Sequence, residues 1–378
     1  MKLPRSSSEA IIPVLVQPTE NHLPMPINPD HPTANTKPGP LAGTTIIELA
    51  AIGPVPFATH FLQQLGAHVI VVDSPINRGL GLPLAADFDY LASDKQHVTI
   101  DLKANDGPAQ LFDLLRHADV LIEGFRPGTL ERLSLSPAAM HAAFPSLIIG
   151  RCSGWGSHSV RAGTAGHDIN YLALSGALAA IGPANKPIPP LNLIADFGGA
   201  GMHLVTGILA ALLGRSKDGN GTVVETSIYQ GTTSLMTMIY GLADAGQWHP
   251  ERESNILDGG APYYCCYETS DARWMAVGAI ERKFFTAFVR QIGADEIDLD
   301  RQNDQSYWPE MRHLIADKIK QRTRQAWDLI FRDTDCCCTP VLEMDEARTH
   351  ETTLSSFNGA IPNNPISFIE RVTSTDKP

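Results

Sequence analysis

The sequence predicts an α/β protein, with a doubly wound, mostly parallel, Rossmann-like sheet in a large domain and a smaller α+β domain after it. Two patterns carry that reading. From Gly43 to Arg151, short β-rich runs alternate with stretches of helical periodicity, the order produced when helices cross over a parallel sheet. Beyond residue 262, two alternating runs stand side by side and charged helical stretches come after them, as in an antiparallel unit with helices on one side.

The 378-residue chain is long enough for two to three domains at ~150 residues each. Residues 1–42 are dense in Pro, Asn and Thr with little periodicity and read as a flexible extension. The first strand is read at Thr45–Leu49, a helix at 56–65 and a second strand at 68–72. A strand at 98–102, a helix at 108–117 and strands at 120–123 and 147–151 complete the alternating part. Apolar helices are read at 169–178 and 199–213, then a strand at 222–226 and one long helix from 228 to about 245. Residues 263–268 and 274–279 alternate like paired strands about a turn at 269–272, and helices run from 281 to 323 and beyond. The resulting boundaries are 43–220 for the large domain, 221–335 for the smaller one and 336–378 for a C-terminal segment.

Acidic residues outnumber basic ones 41 to 29, giving a formal net charge of -12, so the overall field repels nucleic acid and no Lys/Arg run offsets it. An anionic ligand must be held by a few placed cations. No stretch approaches the ~20 apolar residues of a membrane-spanning helix. The cysteines Cys152, Cys265, Cys266 and Cys336 to Cys338 include no C-x-x-C pair and no histidine at ligand spacing, so no metal site is expected. Cys336 to Cys338, running into Thr339-Pro340-Val341, read as a buried strand that uses Cys as a small apolar residue. Clustered free thiols fit an intracellular, reducing compartment, without separating cytoplasm, peroxisome and mitochondrion.

Several residues have the chemistry of a site. His167 and Asp168 stand together before an apolar helix, after a glycine that frees the backbone at Gly166; the histidine suits a base, and Asp168 suits an N-cap accepting from its own first turn. Asp196 closes an apolar run just before Gly198-Gly199, where a helix is due to start, so it must be capped, paired or kept protonated. Glu281 ends the run WMAVGAIE. The loop Ile52-Gly53-Pro54-Val55-Pro56 enters a helix and offers amides to an anion, and Arg126 lies past a strand end at the top of the sheet.

The segments GHDINYLALSG, PLNLIADFGG, NILDGGAPYY and AVGAIE, in that order, resemble the α-methylacyl-CoA racemase family, part of the larger family that holds the class III (CaiB/BaiF-type) coenzyme-A transferases. The resemblance runs from about Gly43 to Val341, some four fifths of the chain. It implies the family III CoA-transferase fold, a CoA-binding large domain, an interlocked homodimer and an acyl-CoA substrate, with CoA part of the substrate and no further cofactor. His167 and Asp196 are implied as the two acid/base residues, with Glu281 beside the histidine to orient it. Gly166, Asp168, Ile169, Asn170 and Tyr171 are implied around the acyl-CoA site, and Arg126 and the strand Ile100-Asp101-Leu102-Lys103 around the nucleotide portion.

The implied activity is racemisation or epimerisation of a 2-methylacyl-CoA or related thioester by 1,1-proton transfer through an enolate, whose oxygen takes a main-chain amide near Asp196. Three alternatives stay open: a class III CoA-transferase with Asp168 as nucleophile, an epimerase of a peptidyl-CoA thioester as in fungal β-lactam formation, and a non-catalytic acyl-CoA binding protein. The chain departs from the family pattern at Ser74, where arginine is usual, at the less basic segment 93–96, and after Ile369, where the C-terminal return is shortened. A rearranged coenzyme-A grip and looser interlocking are the expected consequences.

Overall fold

Strands β1 (Thr45–Leu49), β2 (His68–Asp73), β3 (Gln96–Thr99), β4 (Val120–Glu123), β5 (Ile148–Ser153) and β6 (Val223–Ser227) form one sheet in the order β3-β2-β1-β4-β5-β6, all parallel. The computed structural model describes residues 39–368 except 77, 78, 80 and 360; most of the expected N-terminal extension and the segment after 368 lie outside them. The helices of this part are α1 (Pro54–Gln64), α2 (Gly107–Leu115), α3 (Thr129–Arg132), α4 (Pro137–Ala143), α5 (Asp168–Leu174), α6 (Ala177–Ala180), α7 (Met202–Asp218), α8 (Ile228–Leu235) and α9 (Thr237–Asp244).

The pleat sends alternate residues to opposite faces. Ile46, Val69, Val71, Val120, Ile122 and Ile148 join a core with Val55, Ala58 and Leu62 of α1 and Leu204, Val205 and Ile208 of α7. Ile47, Leu49, Ile70, Val72, Leu121 and Ile149 join a second core with Leu111 and Leu115 of α2, Leu130 of α3 and Met140 of α4. Both faces are thereby covered, as a wholly parallel sheet requires, and each fully buried aliphatic chain contributes about 2 kcal/mol.

Several boundaries differ from the sequence reading for identifiable reasons. β3 ends at Thr99, where its pairing with Asp73 ends; residues 100–103 form a turn in which Asp101 accepts from Lys103 N–H (3.0 Å) and Ala104 N–H (3.0 Å), so the expected strand Ile100 to Lys103 is not one. β6 hydrogen-bonds to β5 and α8 packs on the π-helix and α5, so residues read as the start of the smaller domain join the large sheet and its helices. The expected helix 169–178 is broken at Gly176 (φ 81°), and the long helix from 228 is broken at Met236. The helix expected from Gly199 starts earlier, as a π-helix over Leu193–Gly201 that runs directly into α7. The combined 26-residue run is by length and composition sufficient to cross a bilayer, against the expectation that none is. Leu204, Val205, Ile208 and Ala211 of that run pack into the fold.

The second unit is an antiparallel sheet of β7 (Tyr264–Glu268), β8 (Trp274–Gly278) and β9 (Cys338–Pro340), with β8 in the middle. Helices α10 (Arg282–Ile292), α11 (Trp308–Ile319) and α12 (Arg324–Phe331) cover it. α10 buries Phe285, Phe288, Val289 and Ile292, one stripe at helical spacing. The three-cysteine run is only half as expected. Cys336 and Cys338 are buried, but Cys337 is exposed with φ 48° because its carbonyl turns to accept Gly278 N–H, and only Cys338 lies in β9. Beyond β9 come α13 (Met344–Thr349) and the hairpin β10 (Phe357–Asn358) and β11 (Ile361–Pro362). Asn364 then donates to the Gln64 carbonyl (3.2 Å), so the return segment does reach the large unit.

Candidate active site

Strand order reverses between β1 and β4, and the crevice beyond the carboxyl ends of strands at such a point is where open α/β sheets bind ligands. The loop after β1 ends in Gly53, whose φ of 69° is open to glycine; a Cβ there would lie 2.9 Å from Asp196 Oδ2. Asp196 therefore stands against the head of α1, with its carboxylate facing the loop expected to cradle a ligand's anion. Stacking of Phe57 on Phe197, with centroids 4.4 Å apart and planes 10° from parallel, fixes α1 to the segment that carries Asp196.

Asp196 is not ahead of a helix, as expected, but inside the π-helix. The backbone of α8 crosses the π-helix so near that a Cβ on Gly231 would meet the Gly199 carbonyl oxygen at 1.8 Å. Isolated π turns are frequent at functional sites because they re-aim a side chain.

His167 occupies the N-cap position of α5 with extended backbone (φ -127°, ψ 173°), and its N–H donates to the Asn170 side chain (3.0 Å). Asp168, expected to cap its own first turn, instead accepts with Oδ2 from Ala195 N–H (3.1 Å) and Asp196 N–H (2.8 Å). Those amides open the π-helix and have no earlier carbonyl to bond, so they claim the carboxylate. Tyr171 packs edge-on to Trp155 (4.6 Å, 64°), and Gly166 passes so close that a Cβ would lie 3.0–3.1 Å from both rings. Ile169 is exposed on the first turn of α5.

Burial, and then the charge of Asp168, push the Asp196 carboxyl up to about 6, with His167 and Asn192 partly opposing. Burial also raises Asp168, against the two amides it accepts. The Tyr171 hydroxyl goes up to about 12, by burial first and the Asp196 charge second. A carboxyl that titrates near neutrality can both accept and return a proton, whereas an ordinary exposed one is nearly always ionised.

The chain thus brings together Gly166, His167, Asp168, Ile169, Asn170, Tyr171 and Asp196. Arg126 is exposed, donates to the Gly163 carbonyl (3.3 Å), and its charge acts on Tyr171, which puts it on the same side. Glu281 is the N-cap residue of α10 in the second unit, its charge acts on Cys337, and among the described residues it makes no hydrogen bond or ion pair with His167. Two features were not legible in the sequence. Asn192 shares a segment with Asp196, yet its influence depends on the π turn. Lys95, in the segment read as a weakened coenzyme-A grip, is buried and donates to Glu48 (2.9 Å), Thr59 (2.8 Å) and the Pro56 carbonyl (3.1 Å), supporting α1 from beneath.

Residues 41–357 match the profile of CoA-transferase family III. The chain belongs to this family. It is 40% identical over 312 residues to α-methylacyl-CoA racemase of Mus musculus, covering 82% of this chain and 80% of that protein. Against α-methylacyl-CoA racemase of Homo sapiens it is 39% identical over 312 residues, with the same coverage, 82% and 80%. The fold agrees with a CaiB/BaiF family protein from Brucella suis at TM-score 0.73 and 20% identity, over 88% of this chain and 94% of that one. Within this family's fold, His167 and Asp196 lie on two segments that the Asp168 carboxylate joins.

Proposed function

We propose that this family III member is a racemase or epimerase of 2-methylacyl-CoA or related α-substituted acyl-CoA thioesters. The juxtaposition of His167 with the half-buried Asp196 carries the reading, and the identity to two racemases supports it. Inverting a carbon next to a thioester carbonyl takes one group to remove its proton and a second, already protonated, to return one on the other face. Unprotonated His167 removes the proton of the S substrate, the electron pair moves onto the thioester oxygen, and protonated Asp196 delivers its proton to the opposite face. The R substrate runs the same steps backward. CoA enters as part of the substrate, so the chemistry asks for no separate cofactor.

The enolate oxygen needs a donor. The Asp196 amide, the donor expected near that residue, is committed to Asp168. The first-turn N–H of Asp168 in α5 has no intrahelical partner and is the better candidate. The transferase alternative asks Asp168 to attack a thioester, but its Oδ2 is bonded twice and its Oδ1 is buried. An interlocked homodimer belongs to the same proposal, with Glu281 reaching the site from the second copy.

Proton NMR of a 2-methylacyl-CoA in heavy water tests the reading. The α-proton signal is expected to wash out without acyl transfer to an added free acid, and to persist with His167→Ala. A new thioester without wash-out would replace the racemase by the transferase.

A further inference from the structure

The contacts around Asp168 stand on geometry alone, whereas their kinetic consequences rest on the proposed proton transfer. The π-helix opens on amides that no earlier carbonyl can reach, and a helix start left so can tighten to ordinary α geometry. Tightening by one residue would turn the Asp196 side chain by about 100° around the helix axis. Asp168 removes that freedom, because one of its oxygens holds both the Ala195 and Asp196 N–H groups, at 3.1 and 2.8 Å. The same carboxylate belongs to the first turn of α5, directly after His167. A single side chain therefore ties together the two segments that carry the proton-transfer pair. Its other oxygen is buried without a partner among the described residues, withdrawn from both solvent and any attack on a ligand.

We infer that Asp168 is a positioning residue, which locks the π turn at Asp196 to the start of α5 and so keeps Asp196 within reach of His167. Its charge has a second effect on the same neighbour. Asp196 is faced by His167, Asp168 and Tyr171 from α5, by Asn192 ahead of the π-helix, by Cys152 from β5 and by the Gly53 backbone at the head of α1. Among these, Asp168 raises the Asp196 carboxyl and His167 and Asn192 lower it. An uncharged residue of the same shape at 168 separates the two roles.

Asp168→Asn and Asp168→Ala, each beside the wild type, make the test. Asp168→Asn keeps an acceptor for the two amides but loses the charge, so its exchange with R substrate, in which Asp196 is the base, is expected to keep its KM. The acid limb of that pH profile should move down by about one unit. Asp168→Ala loses both roles and should drop kcat by roughly 100-fold, the scale of a misplaced catalytic group. Deuterium uptake of the 193–201 amides, read by mass spectrometry without substrate, should rise in Asp168→Ala and stay near wild type in Asp168→Asn. Unchanged uptake in Asp168→Ala would overturn the lock, whatever the enzyme does. A normal lock with an unmoved acid limb in Asp168→Asn would overturn the charge effect. Loss of all exchange in the wild type would strike the racemase reading and leave the lock standing on its uptake data.

Discussion

At the scale of single residues, the half-buried Asp196 and the buried Lys95–Glu48 pair make different demands. The Asp196 carboxyl holds its proton more tightly in the fold than in the unfolded chain, since its level rises to about 6. A raised group contributes its full stabilisation only below its unfolded level of about 4, and that contribution is lost as pH rises through about 6. Asp196→Asn should therefore melt like the wild type near pH 4 and at a higher temperature near pH 7.5, while losing exchange. A melting difference that stays constant across that range would refute the assignment. Lys95 and Glu48 are both nearly inaccessible, at 1% and 3% of their side-chain surface, and removing one partner strands the other. Lys95→Met should cost about 3–5 kcal/mol in denaturant unfolding, and Lys95→Met combined with Glu48→Leu should recover much of it. Equal losses in the single and double variants would show that the pair is not the reason.

At the scale of elements, the site depends on backbones that approach closely. An alanine in an exposed helix interior is favoured over glycine by about 1 kcal/mol. At Gly231 in α8 that preference should reverse, because the added Cβ would sit 1.8 Å from a main-chain oxygen of the π-helix, which cannot rotate away like a side chain. Gly231→Ala is expected to destabilise by about 1–3 kcal/mol and to slow α-proton exchange by moving the segment that carries Asp196. Thermal unfolding and exchange measured on one preparation check it; a stabilised, fully active variant would contradict the packing described. Gly53→Ala meets a flexible carboxylate instead, 2.9 Å away, but also a φ of 69°, so its effect should fall on exchange more than on folding.

At the scale of the whole molecule, the resemblance implies one site holding the second unit's Glu281 and the first unit's His167, which among the described residues make no hydrogen bond or ion pair with each other. In the proposed homodimer, a site built across the two-fold predicts complementation. Inactive His167→Ala and Glu281→Ala chains, unfolded together and refolded, should regain about a quarter of wild-type exchange, because half the dimers are mixed and each has one whole site. No recovery in mixed dimers of confirmed composition would show that Glu281 acts within its own chain or not at all.

The sequence by itself determined the parallel sheet, since alternating strand and helix periods have few other solutions, and it put β1 and β4 at their observed positions. It also marked His167, Asp168 and Asp196, because charged or titratable residues amid glycines and apolar runs have few structural uses. It did not determine where Asp168 points, the π turn around Asp196 or the burial of Lys95. Nor did it reveal that β6 joins the large sheet. Each of these is decided by partners distant in sequence: the Ala195 and Asp196 amides for Asp168, the Asp168 carboxylate for the π turn, Glu48 for Lys95 and β5 for β6. Local periodicity records which face of an element avoids water, and only tertiary packing decides which buried polar group satisfies which.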